Sequence, residues 1–190
     1  MKLRIISGEL KHRVIEVPKK FSAHPMGERI RAALFNSLAG DINGAKVLDA
    51  FGGSGACGLE AFSRGAGNVL ILEKERSVFR YLNKNVKSLH LEEDPRLHIS
   101  KAPTLNYLKA NPELTFDVII CDPPYEIAER MKPDEDNQLF QTLSLLTTRL
   151  TKNGILILSW PEKVDLPEVP NLNLKKEKAY AGAKLAWYSR

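Results

Sequence analysis

A chain of 190 residues that is 43% hydrophobic can bury one α/β core but hardly two full domains. No apolar run approaches the roughly 18 residues of a membrane span, and the start Met1-Lys2-Leu3-Arg4-Ile5-Ile6 gives way to polar residues rather than a signal-peptide core. Two cysteines, Cys57 and Cys121, imply no disulfide framework, and no Cys/His cluster has zinc-ligand spacing, so the expectation is a cytoplasmic protein without a metal.

The net charge of +5 is unevenly placed. Residues 1–40 hold eight of the 28 Lys and Arg but three of the 23 Asp and Glu, and the rest of the chain balances. That asymmetry suggests a polyanion-facing arm on a neutral body, with Lys11, Arg13, Lys19, Lys20, Arg29 and Arg31 as its candidate phosphate contacts.

In chain order, the apolar runs at 3–6 and 13–17, separated by Gly8 and a Lys-His-Arg stretch, read as a hairpin. Pro18 and Pro25 bracket a loop, and Ile30, Ala33, Leu34 and Leu38 recur at helical spacing over 28–38. Residues 40–44 mark a boundary, which divides a 1–40 extension from a 41–190 body. Strands are then expected at 46–50, 69–73, 97–100, 116–121 and 155–160, and helices at 56–64, 77–89, 104–110 and 138–150. This alternation predicts an α/β fold, a mostly parallel sheet with helices on both faces. At the end, 172–174 and 184–188 read as two strands with no helix between them, hence an antiparallel edge hairpin. The charged stretch 126–137 reads as a mobile loop over the site, and Trp160, Trp187 and both cysteines as packing residues.

Asp49-Ala50-Phe51-Gly52-Gly53-Ser54-Gly55-Ala56-Cys57-Gly58 joins a predicted strand to a predicted helix, where glycines permit a tight turn and close ligand approach. Gly53-x-Gly55-x-x-Gly58 also matches the dinucleotide fingerprint, with Glu73 at the end of the next strand. Asp49 speaks against a dinucleotide, because a carboxylate in front of the turn repels a pyrophosphate. It suits the ammonium and sulfonium of S-adenosylmethionine, and Glu73 suits ribose hydroxyls in either case.

Asp122-Pro123-Pro124-Tyr125 follows an apolar strand, at the carboxyl edge where doubly wound sheets place ligands. An exocyclic amino nitrogen is a poor nucleophile because its lone pair is delocalised into the base. Asp122 can accept one of its N–H groups, and the carbonyl of Pro123, restricted by Pro124, can accept the other. Tyr125 offers a flat face for an extruded base.

Together these two motifs resemble the amino-directed nucleic-acid methyltransferases. Arg4-Ile5-Ile6-Ser7-Gly8, Arg29-Ile30-Arg31-Ala32-Ala33-Leu34-Phe35-Asn36 and Leu59-Glu60-Ala61-Phe62-Ser63-Arg64-Gly65-Ala66 are similar to the bacterial 16S ribosomal RNA guanine-N2 methyltransferase family, over nearly the whole chain. The resemblance implies a Rossmann-like seven-stranded sheet with a small N-terminal hairpin-and-helix extension, the segment whose charge suggests RNA binding. It implies methylation of one guanine of 16S rRNA in an assembled or assembling small subunit. The expected partner is 16S rRNA or the small ribosomal subunit, and the chain is expected to be a monomer with no membrane partner. Asp49, Phe51, Gly53 and Gly55 would line the methionine side of the cofactor and Glu73 would bind its ribose. The chain departs from the family at Ala102-Pro103, where a Gly-Asp pair is usual, at His24-Pro25-Met26-Gly27 and at Tyr180-Ala181. Two alternatives stay open: a DNA adenine-N6 or cytosine-N4 methyltransferase, and a non-catalytic RNA-binding ribosome-assembly factor.

Overall fold

The structure is a computed structural model and describes residues 1–18, 26–133, 136–180 and 182–190. Along these residues run β1 (Lys2–Arg4), β2 (Val14–Glu16), α1 (Glu28–Ser37), β3 (Lys46–Asp49), α2 (Ala56–Ser63), β4 (Asn68–Leu72) and α3 (Arg76–Ser88). There follow β5 (Leu97–Ser100), α4 (Thr104–Ala110), β6 (Phe116–Cys121), α5 (Tyr125–Glu129), α6 (Gln138–Thr148), β7 (Leu150–Pro161), β8 (Asn173–Tyr180) and β9 (Ala183–Ser189).

Seven strands form one sheet in the order β5-β4-β3-β6-β7-β9-β8, and β1 pairs with β2 in a separate antiparallel hairpin. Strands β3 to β7 run parallel, and only β9 opposes them, pairing antiparallel with both β7 and β8. The central strands carry near-continuous apolar runs, as strands buried on both faces must. Val47, Val69, Val118, Ile120 and Ile157 point to one face, where they pack with α1, α2, α3 and the N-terminal hairpin. Leu48, Leu70, Ile119, Leu156 and Leu158 point to the other, against α4, α5 and α6. Both chemical motifs leave the carboxyl ends of the adjacent central strands β3 and β6, whose register pairs Asp49 with Ile120. The order reverses between these two strands, which is where open α/β sheets form their ligand crevice.

Three expectations change. The stretch after Pro124 is not simply a loop: Tyr125–Glu129 is helical, with Pro124 ahead of it at φ −52° and Ala128 buried against the second core. Residues 134–135 of that stretch lie outside the described residues. Strand β7 begins at Leu150, five residues before the expected start. Strand β8 runs from Asn173 to Tyr180, through the Lys-Lys-Glu-Lys run that read as non-strand. An edge strand with solvent on its outer side has no need of the apolar alternation by which strands are recognised.

Candidate active site

The glycine turn opens where β3 ends. Asp49 is almost wholly buried, and its Oδ2 accepts the Gly58 amide of α2 at 2.8 Å. Burial pushes the Asp49 carboxyl up to about 7, and the charges of Asp122 and Glu73 add to the rise, while the amides of Gly58 and Phe51 oppose it. Gly53 stands at φ +56° and Gly55 at φ +90°, a backbone region that side chains disfavour, and Gly55 is the residue from which α2 starts. A Cβ on Gly55 would also come within 2.7 Å of Leu82 Cδ1.

Glu73, just past β4, closes the other side of the turn. Its Oε2 accepts the Gly53 amide at 2.9 Å and its Oε1 the Glu75 amide at 2.7 Å. Burial raises its pKa as well. Phe51 is half-buried and lines the same cleft, of ≈ 200 Å³, as Asp49, Glu73, Asp122 and Tyr125.

Asp122 follows directly on β6. Burial pushes its carboxyl up to about 6, against the opposing effect of the neighbouring Ser159 hydroxyl on β7. The Tyr125 phenol is raised by burial and by the Asp122 charge, with the nearby Ser159 hydroxyl opposing the rise. Pro123 is buried, and among the described residues no backbone amide donates to its carbonyl. The cleft thus holds two carboxylates at the glycine turn and a third beside the Pro123 carbonyl and an aromatic ring. This set fits S-adenosylmethionine: carboxylates can meet its ammonium and ribose, whereas a pyrophosphate would be repelled.

The family described as Conserved hypothetical protein 95 matches residues 3–189. The chain belongs to this family. It is 32% identical over 191 residues to the Ribosomal RNA small subunit methyltransferase D of Escherichia coli (strain K12), covering 99% of this chain and 90% of that one. It is also 32% identical over 179 residues to the protein of that name in Buchnera aphidicola subsp. Acyrthosiphon pisum, covering 93% and 87%. The solved structure of yhhF from Escherichia coli superposes with a TM-score of 0.82 at 30% identity, over 100% of this chain and 98% of that one. The sheet and its C-terminal edge hairpin are the Rossmann-like fold of S-adenosylmethionine-dependent methyltransferases, as expected.

Within this family member, the basic N-terminal residues do not all lie on one surface. Lys11, Arg13 and Arg29 are exposed, and Lys19 and Lys20 lie outside the described residues. Arg31 corrects the expectation of a phosphate contact: it is fully buried. Its guanidinium bonds the Met26 carbonyl at 3.2 Å and the Arg4 carbonyl, and stands 3.7 Å from Glu60. Its charge holds the extension together and meets no solvent.

Two residues that the sequence reading passed over explain how the extension is attached. Glu60 of α2, wholly buried, accepts the Ile6 and Ser7 amides at 2.8 and 3.1 Å and pairs with Arg64 at 2.7 Å. Asn85 of α3 accepts the Glu16 amide at 2.8 Å and donates at 2.9 Å to both the Glu16 and Ser54 carbonyls. One amide therefore ties β2 to the glycine turn. The signal was there: Asn85 is a polar residue in the apolar stripe of its helix, a position that requires buried hydrogen-bond partners. Val17, Pro18 and Met26 reach the cleft itself, so the extension forms part of its wall.

Proposed function

We propose that this chain methylates the exocyclic N2 amino group of a guanine in small-subunit ribosomal RNA, acting as a cytoplasmic monomer. The observation that carries this reading is one cleft that holds both the acid-flanked glycine turn and the Asp122-Pro123-Pro124-Tyr125 edge. The names of its relatives support small-subunit ribosomal RNA as the substrate.

S-adenosylmethionine, when bound, supplies a methyl group on a positively charged sulfur. Asp49, Phe51, Gly53 and Gly55 hold its methionine end, and Glu73 its ribose. Asp122 accepts one N–H of the target amine and the Pro123 carbonyl accepts the other. Two fixed acceptors orient the nitrogen lone pair, a contribution of up to about 7–11 kcal/mol for ideal alignment. Tyr125 stacks on the extruded base. The methylated nitrogen is acidic enough to release its extra proton to water, so no dedicated base is needed. Residues 1–40 dock the RNA through Lys11, Arg13, Lys19, Lys20 and Arg29, on a methyltransferase body of residues 41–190.

Incubation with S-adenosylmethionine labelled in its methyl group and transcribed small-subunit rRNA, followed by nucleoside analysis, tests the reading. Label in N2-methylguanosine is the expected result. Transfer to a DNA adenine or cytosine in a parallel incubation with DNA would overturn the substrate, and RNA binding without transfer to either the transcript or isolated small ribosomal subunits would overturn the activity.

A further inference from the structure

The lysine-rich strand β8 carries charge that neither the cleft nor the N-terminal extension employs. Lys175, Lys176 and Lys178 are exposed, and among the described residues no carboxylate forms an ion pair with any of them. The register decides where they point. Residues paired directly across an antiparallel ladder share a face of the sheet, so Lys176 lies with Trp187, Lys178 with Leu185 and Tyr180 with Ala183. Leu185 and Trp187 belong to the core under α1 and the N-terminal hairpin, and Tyr180 packs against that same core. Glu177 and Lys184 point to the opposite face, where they meet each other at 3.7 Å.

Aromatic rings prop up the two lysines: Lys176 Nζ lies 4.9 Å from the Trp187 ring centre and Lys178 Nζ 5.5 Å from that of Tyr180. Across the sheet, Lys178 is level with Leu185 and thus with Ser159, whose hydroxyl neighbours Asp122. Two strand spacings separate Lys178 from Ser159, about 10 Å. A nucleic acid with one base at Asp122 would run its flanking backbone within reach of this face.

We propose that Lys176 and Lys178 form a second contact for the phosphate backbone of the substrate RNA, on the same side of the sheet as the basic N-terminal extension. This rests on the reading of the chain as an RNA methyltransferase. It gives the RNA two anchors, one on the extension and one on the last strand, with the cleft between them.

The test measures affinity for transcribed small-subunit rRNA against salt, for the wild type and for the Lys176→Gln/Lys178→Gln double variant. Each phosphate contact on single-stranded RNA contributes about 0.7 to the slope of log affinity against log salt, so the double variant should be flatter by about 1.4. Between about 50 and about 200 mM salt its affinity should then fall roughly sevenfold less than that of the wild type. Lys184→Gln, on the opposite face, and Lys176→Arg/Lys178→Arg should both keep the wild-type slope. An unchanged slope in a double variant that melts at the wild-type temperature overturns the proposal. Self-association of that variant on a sizing column would then identify the lysines as guards of an exposed strand edge. A wild type with no salt-dependent RNA binding overturns the RNA reading itself, and this surface with it.

Discussion

Asp49 and Asp122 leave neighbouring parallel strands into one cleft, and the charge of Asp122 helps to hold the Asp49 carboxyl up at about 7. The first carboxylate belongs to the proposed cofactor side and the second to the substrate side, so protonation at one is felt at the other.

Cofactor affinity should therefore depend on pH through Asp49. An ammonium ligand needs the carboxylate, so affinity for S-adenosylhomocysteine should rise with pH, by at most about tenfold per unit, and level off above about 7. Calorimetric titrations across pH 5 to 9 would measure it, with Asp49→Asn expected to bind weakly and lose the dependence. Asp122→Asn should keep the dependence but move its midpoint to lower pH. The same profile in Asp49→Asn as in the wild type would assign it to another group.

Stability should show the opposite trend. Burial raises the folded-state pKa of Asp49 from 3.8 to about 7, so the folded protein holds the extra proton between those values. Ionising Asp49 in the fold then costs stability progressively as pH rises through that window. Asp49→Asn should accordingly melt above the wild type at pH 8, and the gap should close toward pH 4. Equal melting temperatures at both pH values would mean that the buried carboxyl is not strained.

Turnover should depend on the substrate side. Asp122→Ala should remove most methyl transfer, whereas Tyr125→Phe should be mild and Tyr125→Ala severe, because stacking needs the ring. Single-turnover assays with saturating cofactor separate these from binding effects. Equal loss in Tyr125→Phe and Tyr125→Ala would place the function of Tyr125 in its hydroxyl rather than its ring.

The arginines of the extension should divide. Replacing Lys11 and Arg13 with Gln should flatten the salt slope of RNA binding by about 1.4. Arg31→Met should leave the slope alone and cost roughly 3–5 kcal/mol of stability, because it removes the buried partner of Glu60 and of two carbonyls. Thermal melts and salt titrations on both variants check this. A flattened slope with no thermal loss in Arg31→Met would reverse the assignment.

Asn85→Ala should release both ends of its tie, Glu16 of β2 and the Ser54 carbonyl of the glycine turn. It leaves the Glu16 amide and two carbonyls without their partner, at a cost of about 1–3 kcal/mol for each group that water cannot reach. Cofactor affinity should weaken as well, because the Ser54 turn loses its tie. Full cofactor affinity in a destabilised variant would make Asn85 a fastener of the hairpin alone.

Much of this protein is decided locally along the chain. The apolar runs ending at Asp49 and Cys121 are strands because they bury both faces, and the glycines after Asp49 bend the chain because side chains disfavour their φ values. Such features depend on neighbours in sequence, so the parallel sheet, the glycine turn and the Asp122-Pro123-Pro124-Tyr125 edge were all legible there. What the tertiary structure decided are matters of distance and dielectric. Arg31 and Arg29 stand two residues apart with the same charge, yet helix α1 buries one against Glu60 and turns the other to solvent. Charge patterning cannot separate them, because it does not say which face of a helix finds a carboxylate inside the protein. Strand β8 hid for a related reason: edge pairing supplies its hydrogen bonds while its side chains stay in water, so the period-2 apolar signal is missing. The shift of Asp49 to about 7 likewise belongs to the fold, since it comes from burial beside Asp122, 73 residues further along the chain.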